Sequence, residues 1–310
     1  MKKICIIGVK GLLGNKLLQK INNYELVGTF HQTPLRSSNV ESIQLDITKS
    51  DNCDQLLKIK PDIIINTAAI TNVDYCEKFP KKAYLVNVTG VKNLVRIANT
   101  LGCKLIHISS DGIFPGREKN YKEDDTPDPI NYYGKTKLES ENVVKTLNDY
   151  LIFRTNLLYG YMSKNQIVSR SEHVKPTNFV LWVLSELNKK IDIRIVNDQF
   201  SNPTLVDNIS KIILDSIEKN LVGTFHATDT TCINRFDFAK KIANKFGFSE
   251  QLVSEISSKD LAQFAPRPTK TCLNCSKIQK VGIPLSNMDQ SLEILFNQIK
   301  EKNPTMIFIN

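Results

Sequence analysis

Residues Lys3 to Ile7 form a short, mostly apolar run that ends at Gly8, and further glycines follow at positions 11 and 14. Behind them Leu12, Leu13, Leu17, Leu18 and Ile21 repeat with the period of a helix. A buried strand, a glycine turn and a helix start in immediate succession are compatible with few folds. The chain leaves the strand, reverses within a few residues and lays a helix back over the sheet, as the first unit of a parallel α/β fold does. Glycine at these places lets the backbone approach a phosphate closely, and the open amides of the helix start meet its charge. The turn is therefore expected to cradle the pyrophosphate of a dinucleotide. Glycines present only to make a tight turn would not require a strand before them and a helix after.

The same alternation continues. Strands are expected at Glu25 to Phe30, Ser42 to Leu45, Ile63 to Ile65, Cys103 to Ser109 and Tyr150 to Thr155, with helices at Asp51 to Lys60 and Lys81 to Thr100 and a further one opening at Asn131. Gly102 suits the C-terminus of the helix before it. This order predicts a doubly wound parallel sheet of the Rossmann type over residues 1–160. The remainder, 161–310, reads as a smaller, mixed substrate-binding domain, from which 191–222 (a strand Ile193 to Val196 and a helix Leu205 to Ile217) returns to the sheet. Asn165 to Lys175 is polar and charged. Helices are expected at Asn178 to Leu187, with Trp182 in the core, and at Asn234 to Phe246.

The 310 residues carry a net charge of +9, but the excess is spread in short pairs such as Lys81-Lys82, with no interleaving of arginine and aromatics. A nucleic-acid groove is not indicated, and attraction for a phosphorylated small molecule explains the charge as well. Seven scattered cysteines speak against a disulfide framework and for a reducing compartment. Cys272 and Cys275 make a lone C-x-x-C without the second pair a structural zinc needs, so free thiols and no metal are expected there. No apolar run has the length of a membrane span and the N-terminus lacks signal-peptide features, so a cytoplasmic protein is expected.

Ligands of such sheets bind at the carboxyl ends of the strands, and the residues capable of chemistry cluster there. The second strand ends in His31-Gln32-Thr33-Pro34-Leu35-Arg36, without the carboxylate that would hold a ribose 2′-hydroxyl. His31 and Arg36 instead suit a 2′-phosphate, which favours NADP(H) over NAD(H). Asp46-Ile47, ending the third strand, would flank the adenine, and Asn66-Thr67-Ala68-Ala69 places small residues at the end of the fourth. Ser110 ends the fifth strand, and Tyr133 and Lys137, four residues apart, share one face of the next helix. An ammonium beside a phenol favours the phenolate, and a phenol tuned in this way can give a proton to an oxygen that gains charge.

Several segments together resemble the extended short-chain dehydrogenases/reductases, and within them the dTDP-4-dehydrorhamnose reductase family. They are the G-x-x-G-x-x-G turn, Asn66-Thr67-Ala68-Ala69 with Val73-Asp74-Tyr75-Cys76-Glu77, Ile108-Ser109-Ser110-Asp111-Gly112-Ile113-Phe114, and Asn131-Tyr132-Tyr133-Gly134-Lys135-Thr136-Lys137. Asp198-Gln199-Phe200-Ser201-Asn202-Pro203-Thr204 and Arg267-Pro268 extend the likeness along the chain. The resemblance implies a reductase of a nucleotide-linked 4-keto-6-deoxysugar, with NADP(H) as cofactor. Tyr133 would be the general acid, Lys137 its tuning partner and a cofactor contact, and Ser110 the holder of the reacting carbonyl. Gly8, Gly11, Leu12 and Leu13 would line the pyrophosphate, and Ala68, Ala69 and Ile70 the region nearer the nicotinamide. Val73, Asp111 and Arg267 would touch the substrate. A nucleic-acid or membrane partner is not implied, and a homodimer stays open. Where the family has an aromatic residue after the Asp of this segment, this chain has Gly112. Sugar dehydratases carry an Asp-Glu pair at the same place, which this chain lacks. A nucleotide-sugar 4-epimerase is an alternative of the same chemistry, and the NADP-binding regulatory subunit of methionine adenosyltransferase, which resembles this family too, is a non-catalytic one.

Overall fold

In the computed structural model, residues 1–34, 40–118, 120–162, 178–261 and 263–302 are described. The segment Asn165 to Lys175 lies outside them. The strands β1 (Lys3–Ile7), β2 (Glu25–Phe30), β3 (Glu41–Gln44), β4 (Ile63–Asn66), β5 (Lys104–Ser110), β6 (Tyr150–Thr155) and β7 (Gly223–His226) form one seven-stranded sheet in the order β7-β6-β5-β4-β1-β2-β3. Every pairing in it is parallel. The order reverses direction beside β1, the topological switch point at which such sheets bind ligands.

The two-residue period of the strands sorts their apolar side chains onto the two faces. Ile4, Ile6, Ile63 and Ile65 pack with helix α1 (Leu12–Lys20) and with the Val206–Glu218 helix, while Cys5, Ile7 and Ile64 pack with Val91, Leu94 and Ile97 of the Gly90–Leu101 helix. Both faces are covered, so the central strands β1 and β4 are largely apolar. Gly102, at a φ of 63°, ends the Gly90–Leu101 helix in the left-handed region. A separate core gathers Val180, Val183 and Leu184 with Phe238 and Ile242 and with Leu292 and Leu295 of the Met288–Lys302 helix.

Four expectations are corrected. The Ile193–Val196 strand does not return to the main sheet but pairs in parallel with Val253–Ile256 over the second core. The return is made by the Val206–Glu218 helix and by β7, which adds to the sheet edge beside β6. Gly223-Thr224-Phe225-His226 is too short and too polar to announce a strand; it pairs because β6 leaves an open edge. Trp182 is 37% exposed, since its helix turns Val180, Val183 and Leu184 inward instead. The helix expected over Asp51 to Lys60 breaks at Asp54 into Ser50–Cys53 and Gln55–Ile59. Finally, Cys272 is not a free thiol: a disulfide joins it to Cys232, 40 residues away, with 5.6 Å between the Cα atoms. Spacing along the chain cannot show such a pairing, because tertiary contact makes it. Among the described residues no helix is long and apolar enough to cross a membrane.

Candidate active site

The helix that carries Tyr133 and Lys137 runs from Tyr132 to Val144. The Asn131 side chain caps it, accepting from the Gly134 amide at 2.9 Å, and Glu77 accepts from the Tyr132 amide at 2.8 Å. A Cβ on Gly134 would lie 2.1 Å from the Gly112 carbonyl oxygen and 2.8 Å from Pro129. Glycine here lets the helix start press onto the turn that follows β5. At the other end Glu141, fully buried, accepts from Arg154 at 3.0 and 2.9 Å and from the Ser109 hydroxyl at 2.6 Å. Burial raises the Glu141 pKa, but the Arg154 bonds and charge and the Ser109 bond outweigh it and hold the carboxyl below its ordinary value. The helix is thus pinned to β5 and β6 through a buried ion pair.

These restraints bring Ser110 and Tyr133 together. Ser110 lies close enough to the Tyr133 hydroxyl to act on its proton, and Ser110 Oγ donates to Asp111 Oδ1 at 2.9 Å. Asp111 Oδ2 accepts from Thr271 Oγ1 at 2.5 Å. A Cβ at Gly112 would sit 3.3 Å from Ser110 Oγ and 3.5 Å from the Tyr133 ring, so the family's aromatic position borders the reacting hydroxyls. Burial pushes the Tyr133 pKa well above that of a free phenol; the Ser110 bond lowers it, and the Asp111 charge raises it. Burial also raises the Asp111 carboxyl, against bonds from Thr271 and Ser110.

Lys137 is 2% exposed, and burial lowers its ammonium to about 8, with the Glu141 charge working the other way. Its Nζ donates to the Ile108 carbonyl at 2.7 Å rather than to the phenol, which is why the expected lowering of the Tyr133 pKa is not found in this arrangement. His107, expected to be a packed histidine, is buried at the back of this lysine, with Nε2 3.3 Å from Nζ. One set of proton positions satisfies Asn66 and Ser140 and leaves the Nζ–Nε2 approach without a hydrogen bond. The Asn66 amide donates to His107 Nδ1 (3.2 Å), Nε2–H donates to Ser140 Oγ (3.0 Å), and Ser140 donates to the Lys137 carbonyl (2.7 Å). Burial and the Lys137 charge hold the histidine pKa well below its ordinary value, so the ring is neutral. Asn66 Oδ1 accepts from the Ala68 amide at 3.1 Å, which joins the lysine's surroundings to the loop after β4.

That loop is held a second time by Asn87, which the sequence did not single out. Its side chain accepts from the Ile70 amide (2.8 Å) and donates to the Ile70 carbonyl (3.0 Å) and to Thr136 Oγ1 (3.1 Å). Asn87 reaches these partners from a π-helical turn, Leu85–Thr89, in an otherwise regular helical stretch. Such turns gather at functional sites, but helical periodicity hides them in a sequence.

The glycine turn fits a pyrophosphate. Gly8 has a φ of +85°, and a Cβ on Gly14 would meet the Gly8 carbonyl oxygen at 2.5 Å. Helix α1 has no side-chain cap at Gly11, so the amides of Leu12 and Leu13 are left for an anion. His31 is exposed, with Nε2 3.7 Å from Asp46, and Lys10 Nζ reaches the Pro34 carbonyl at 3.4 Å. Arg36 lies outside the described residues. Asp46 Oδ1 accepts from the amide and hydroxyl of Thr48 at 3.0 and 2.7 Å; burial is outweighed by these bonds and nearby cations, and its pKa is lowered. Ile47 turns its side chain into the core against Gly90, and its carbonyl accepts from the Asn93 side chain at 2.8 Å. Ala68, Ala69 and Ile70 follow β4 at the carboxyl edge, half-buried.

On the substrate side, Val73 opens the Val73–Lys78 helix, and Arg267 forms an ion pair with Asp74 at 2.9 Å. Arg235 was not foreseen. It lies 5.7 Å over the Phe179 ring and close enough to Asp111 and Arg267 for both charges to act on it. Among the described residues no group of three or more His, Cys, Asp or Glu side chains gathers as a metal site.

Residues 1–301 match the family described as the RmlD substrate binding domain. The chain belongs to this family. It is 31% identical to the dTDP-4-dehydrorhamnose reductase of Aggregatibacter actinomycetemcomitans, over 94% of this chain and 98% of that protein. The crystal structure of the Bacillus anthracis dTDP-4-dehydrorhamnose reductase in complex with NADP superimposes with a TM-score of 0.84 at 30% identity, covering 96% of this chain and 100% of that one. The chain is also 29% identical to methionine adenosyltransferase 2 subunit beta of Bos taurus, over 91% of this chain and 83% of the relative. Membership accounts for the doubly wound sheet, whose strand β5 ends at Ser110.

Proposed function

We propose that the chain is an NADPH-dependent reductase acting on the C4 ketone of a nucleotide-linked 6-deoxysugar, of the dTDP-4-dehydrorhamnose class. Ser110 at the end of β5 beside the Tyr133 phenol, with Lys137 one helical turn on from Tyr133, carries this reading. The bound cofactor supplies the hydride that adds to the ketone carbon. The glycine turn and the amides of Leu12 and Leu13 hold its pyrophosphate, and His31 and Lys10, with Arg36 on the sequence pattern alone, are the cations for a 2′-phosphate. That NADP is named in the Bacillus anthracis relative supports this choice.

As hydride arrives, the ketone oxygen gains negative charge. Tyr133 Oη transfers its proton to that oxygen, and Ser110 Oγ, its hydroxyl turned from Asp111, donates a hydrogen bond to it. Burial keeps Tyr133 protonated at neutral pH, so it is ready as an acid rather than lost as a phenolate. The charge that then appears on the phenol is opposed by the Lys137 ammonium, which before the reaction donates to the Ile108 carbonyl. His107, neutral and locked by Asn66 and Ser140, adds no second positive charge beside that ammonium.

The test is loss of NADPH absorbance against a panel of nucleotide-linked 4-ketosugars, run with wild type and Tyr133→Phe. Wild type is expected to reduce at least one member of the panel. Tyr133→Phe is expected to lose about 10² to 10⁴-fold in kcat while binding NADPH as before. A variant as active as wild type removes Tyr133 from the role of acid. NADPH binding with no ketosugar reduced favours the second reading, a non-catalytic subunit, for which the 29% identity to the beta subunit of methionine adenosyltransferase 2 speaks.

A further inference from the structure

Cys232 and Cys272 flank the segment Phe200–Ser201, and their disulfide staples it from both sides. On one side Ile233 and Asn234, next to Cys232, pair with Ser201 and Phe200 in an antiparallel bridge. On the other, the Thr271 amide, next to Cys272, donates to the Phe200 carbonyl at 3.0 Å. The residue so placed has a second bond, because Thr271 Oγ1 donates to Asp111 Oδ2 at 2.5 Å. Asp111 accepts from Ser110, which lies beside the Tyr133 hydroxyl. The staple therefore ends one residue from the far end of a chain of hydroxyl and carboxyl groups that begins at the proposed acid.

The two sulfurs differ in access. Cys232 is an exposed residue, whereas Cys272 is 2% exposed and its carbonyl is held by the amides of Asn120 and Tyr121, both at 2.9 Å. A thiolate from solvent can reach Cys232 and not Cys272. The other described cysteines, Cys5, Cys53, Cys76, Cys103 and Cys275, are buried free thiols, and burial raises each of their pKa values, so none competes as a reactive thiolate. A lone disulfide with one exposed sulfur, in a chain without a disulfide framework, is the kind that reports redox state rather than one that builds a fold.

We propose that the Cys232–Cys272 disulfide is a thiol-responsive lock on the active site, acting through Thr271 as a positioning residue for Asp111 and Ser110. The opening step is exchange with a dithiol. Its thiolate attacks Cys232 Sγ, the Sγ–Sγ bond breaks, and the electron pair leaves on Cys272 Sγ, which takes a proton. The second thiol of the reductant then displaces Cys232 as a thiol, and the reductant departs as a cyclic disulfide. Two electrons and two protons pass to the protein. A disulfide of a small thiol, such as oxidised glutathione, reverses the sequence.

The activity arm of the test rests on the reductase reading; the other arms do not. The protein is treated with dithiothreitol or oxidised glutathione, the thiols at 232 and 272 are counted by alkylation and mass spectrometry, and amide exchange is followed over 110–112 and 270–272. Reduction is expected to speed exchange at both segments about tenfold and to leave NADPH affinity within about twofold, since the bonds of the glycine turn run to Thr29 and Thr67 and not to the staple. With a ketosugar that turns over, kcat falls roughly tenfold on reduction, as small misplacements of reacting groups do, and recovers on reoxidation. Cys232→Ser behaves as the reduced protein and ignores dithiothreitol. Thr271→Val shows the same loss without a redox response, and Thr271→Ser restores both. The proposal is overturned if 232 and 272 remain thiols after oxidation, or if the disulfide opens while exchange at 110–112 is unchanged. A kcat indifferent to reduction in an active enzyme overturns it equally. If no ketosugar is reduced, the thiol count and the exchange still decide, so failure of the reductase reading and failure of the lock are separate results.

Discussion

Lys137→Met separates the stability of this protein from its activity. In the folded chain burial lowers the Lys137 ammonium from its ordinary 10.5 to about 8, although the Glu141 charge resists this. At ~1.4 kcal/mol per pH unit, keeping that lysine charged at neutral pH costs the fold about 3 kcal/mol. The side chain is 2% exposed, so solvent screening removes little of this. Methionine is close in length and abolishes the charge, but it leaves the Ile108 carbonyl, now bonded to Nζ at 2.7 Å, without its donor. An unsatisfied buried acceptor costs about 1–3 kcal/mol, so the variant should be more stable than wild type by roughly 1 kcal/mol at pH 7, or about 2–4 °C in Tm. The pH dependence is the sharper measurement. A lysine with a depressed folded pKa binds fewer protons in the native than in the unfolded chain between pH 8 and 10.5, so wild-type stability rises with pH across that window. The penalty is complete below pH 8 and relieved as pH climbs towards 10.5. Urea unfolding of both proteins at pH 7, 8, 9 and 10 should therefore show the variant's advantage shrink and then reverse, moving by about 3 kcal/mol in favour of wild type in all. Ketosugar reduction by the variant should be lost throughout. A difference between the two proteins that stays flat with pH, or moves the other way, would refute the account of Lys137 as a buried cation held at a cost.

Three further outcomes follow from the geometry. Glu141→Gln strands the buried Arg154 guanidinium and should destabilise the chain by about 3–5 kcal/mol in urea unfolding; the same carboxylate, held low in wild type, contributes stability above the ordinary carboxyl range that is lost as pH falls through its lowered pKa. Gly134→Ala places a Cβ 2.1 Å from the Gly112 carbonyl oxygen, and the forced shift should cost roughly 1–3 kcal/mol and reduce kcat by displacing Tyr133. Gly112→Ala adds only a Cβ at 3.3 Å from Ser110 Oγ and 3.5 Å from the Tyr133 ring, so its Tm should change by less than about 4 °C, the equivalent of roughly 1 kcal/mol, while KM for the sugar shifts more than that for NADPH.

Much of this molecule is determined by local pattern. The apolar runs of β1, β4 and β5, the Gly8-Gly11-Gly14 turn and the leucine period of α1 each act within one or two turns of chain, and a parallel sheet open to ligand at its carboxyl edge follows from them. Tyr133 and Lys137 share a face because a helix puts residues four apart together, and Ser110 meets them because the strand before that helix ends there. Tertiary structure decided what no local period encodes. Asn87 gains its three partners from a π turn that only its neighbours reveal, and β7 becomes a strand only because β6 offers an unpaired edge. Whether Lys137 faces the phenol or the Ile108 carbonyl, and whether burial or charge governs the Tyr133 proton, depends on the desolvation that packing imposes. The Cys232–Cys272 bond likewise exists because strands distant in sequence meet around Phe200. Local pattern acts through neighbours a few residues apart, whereas burial, proton affinity and disulfide pairing depend on what the rest of the chain brings to the same point in space.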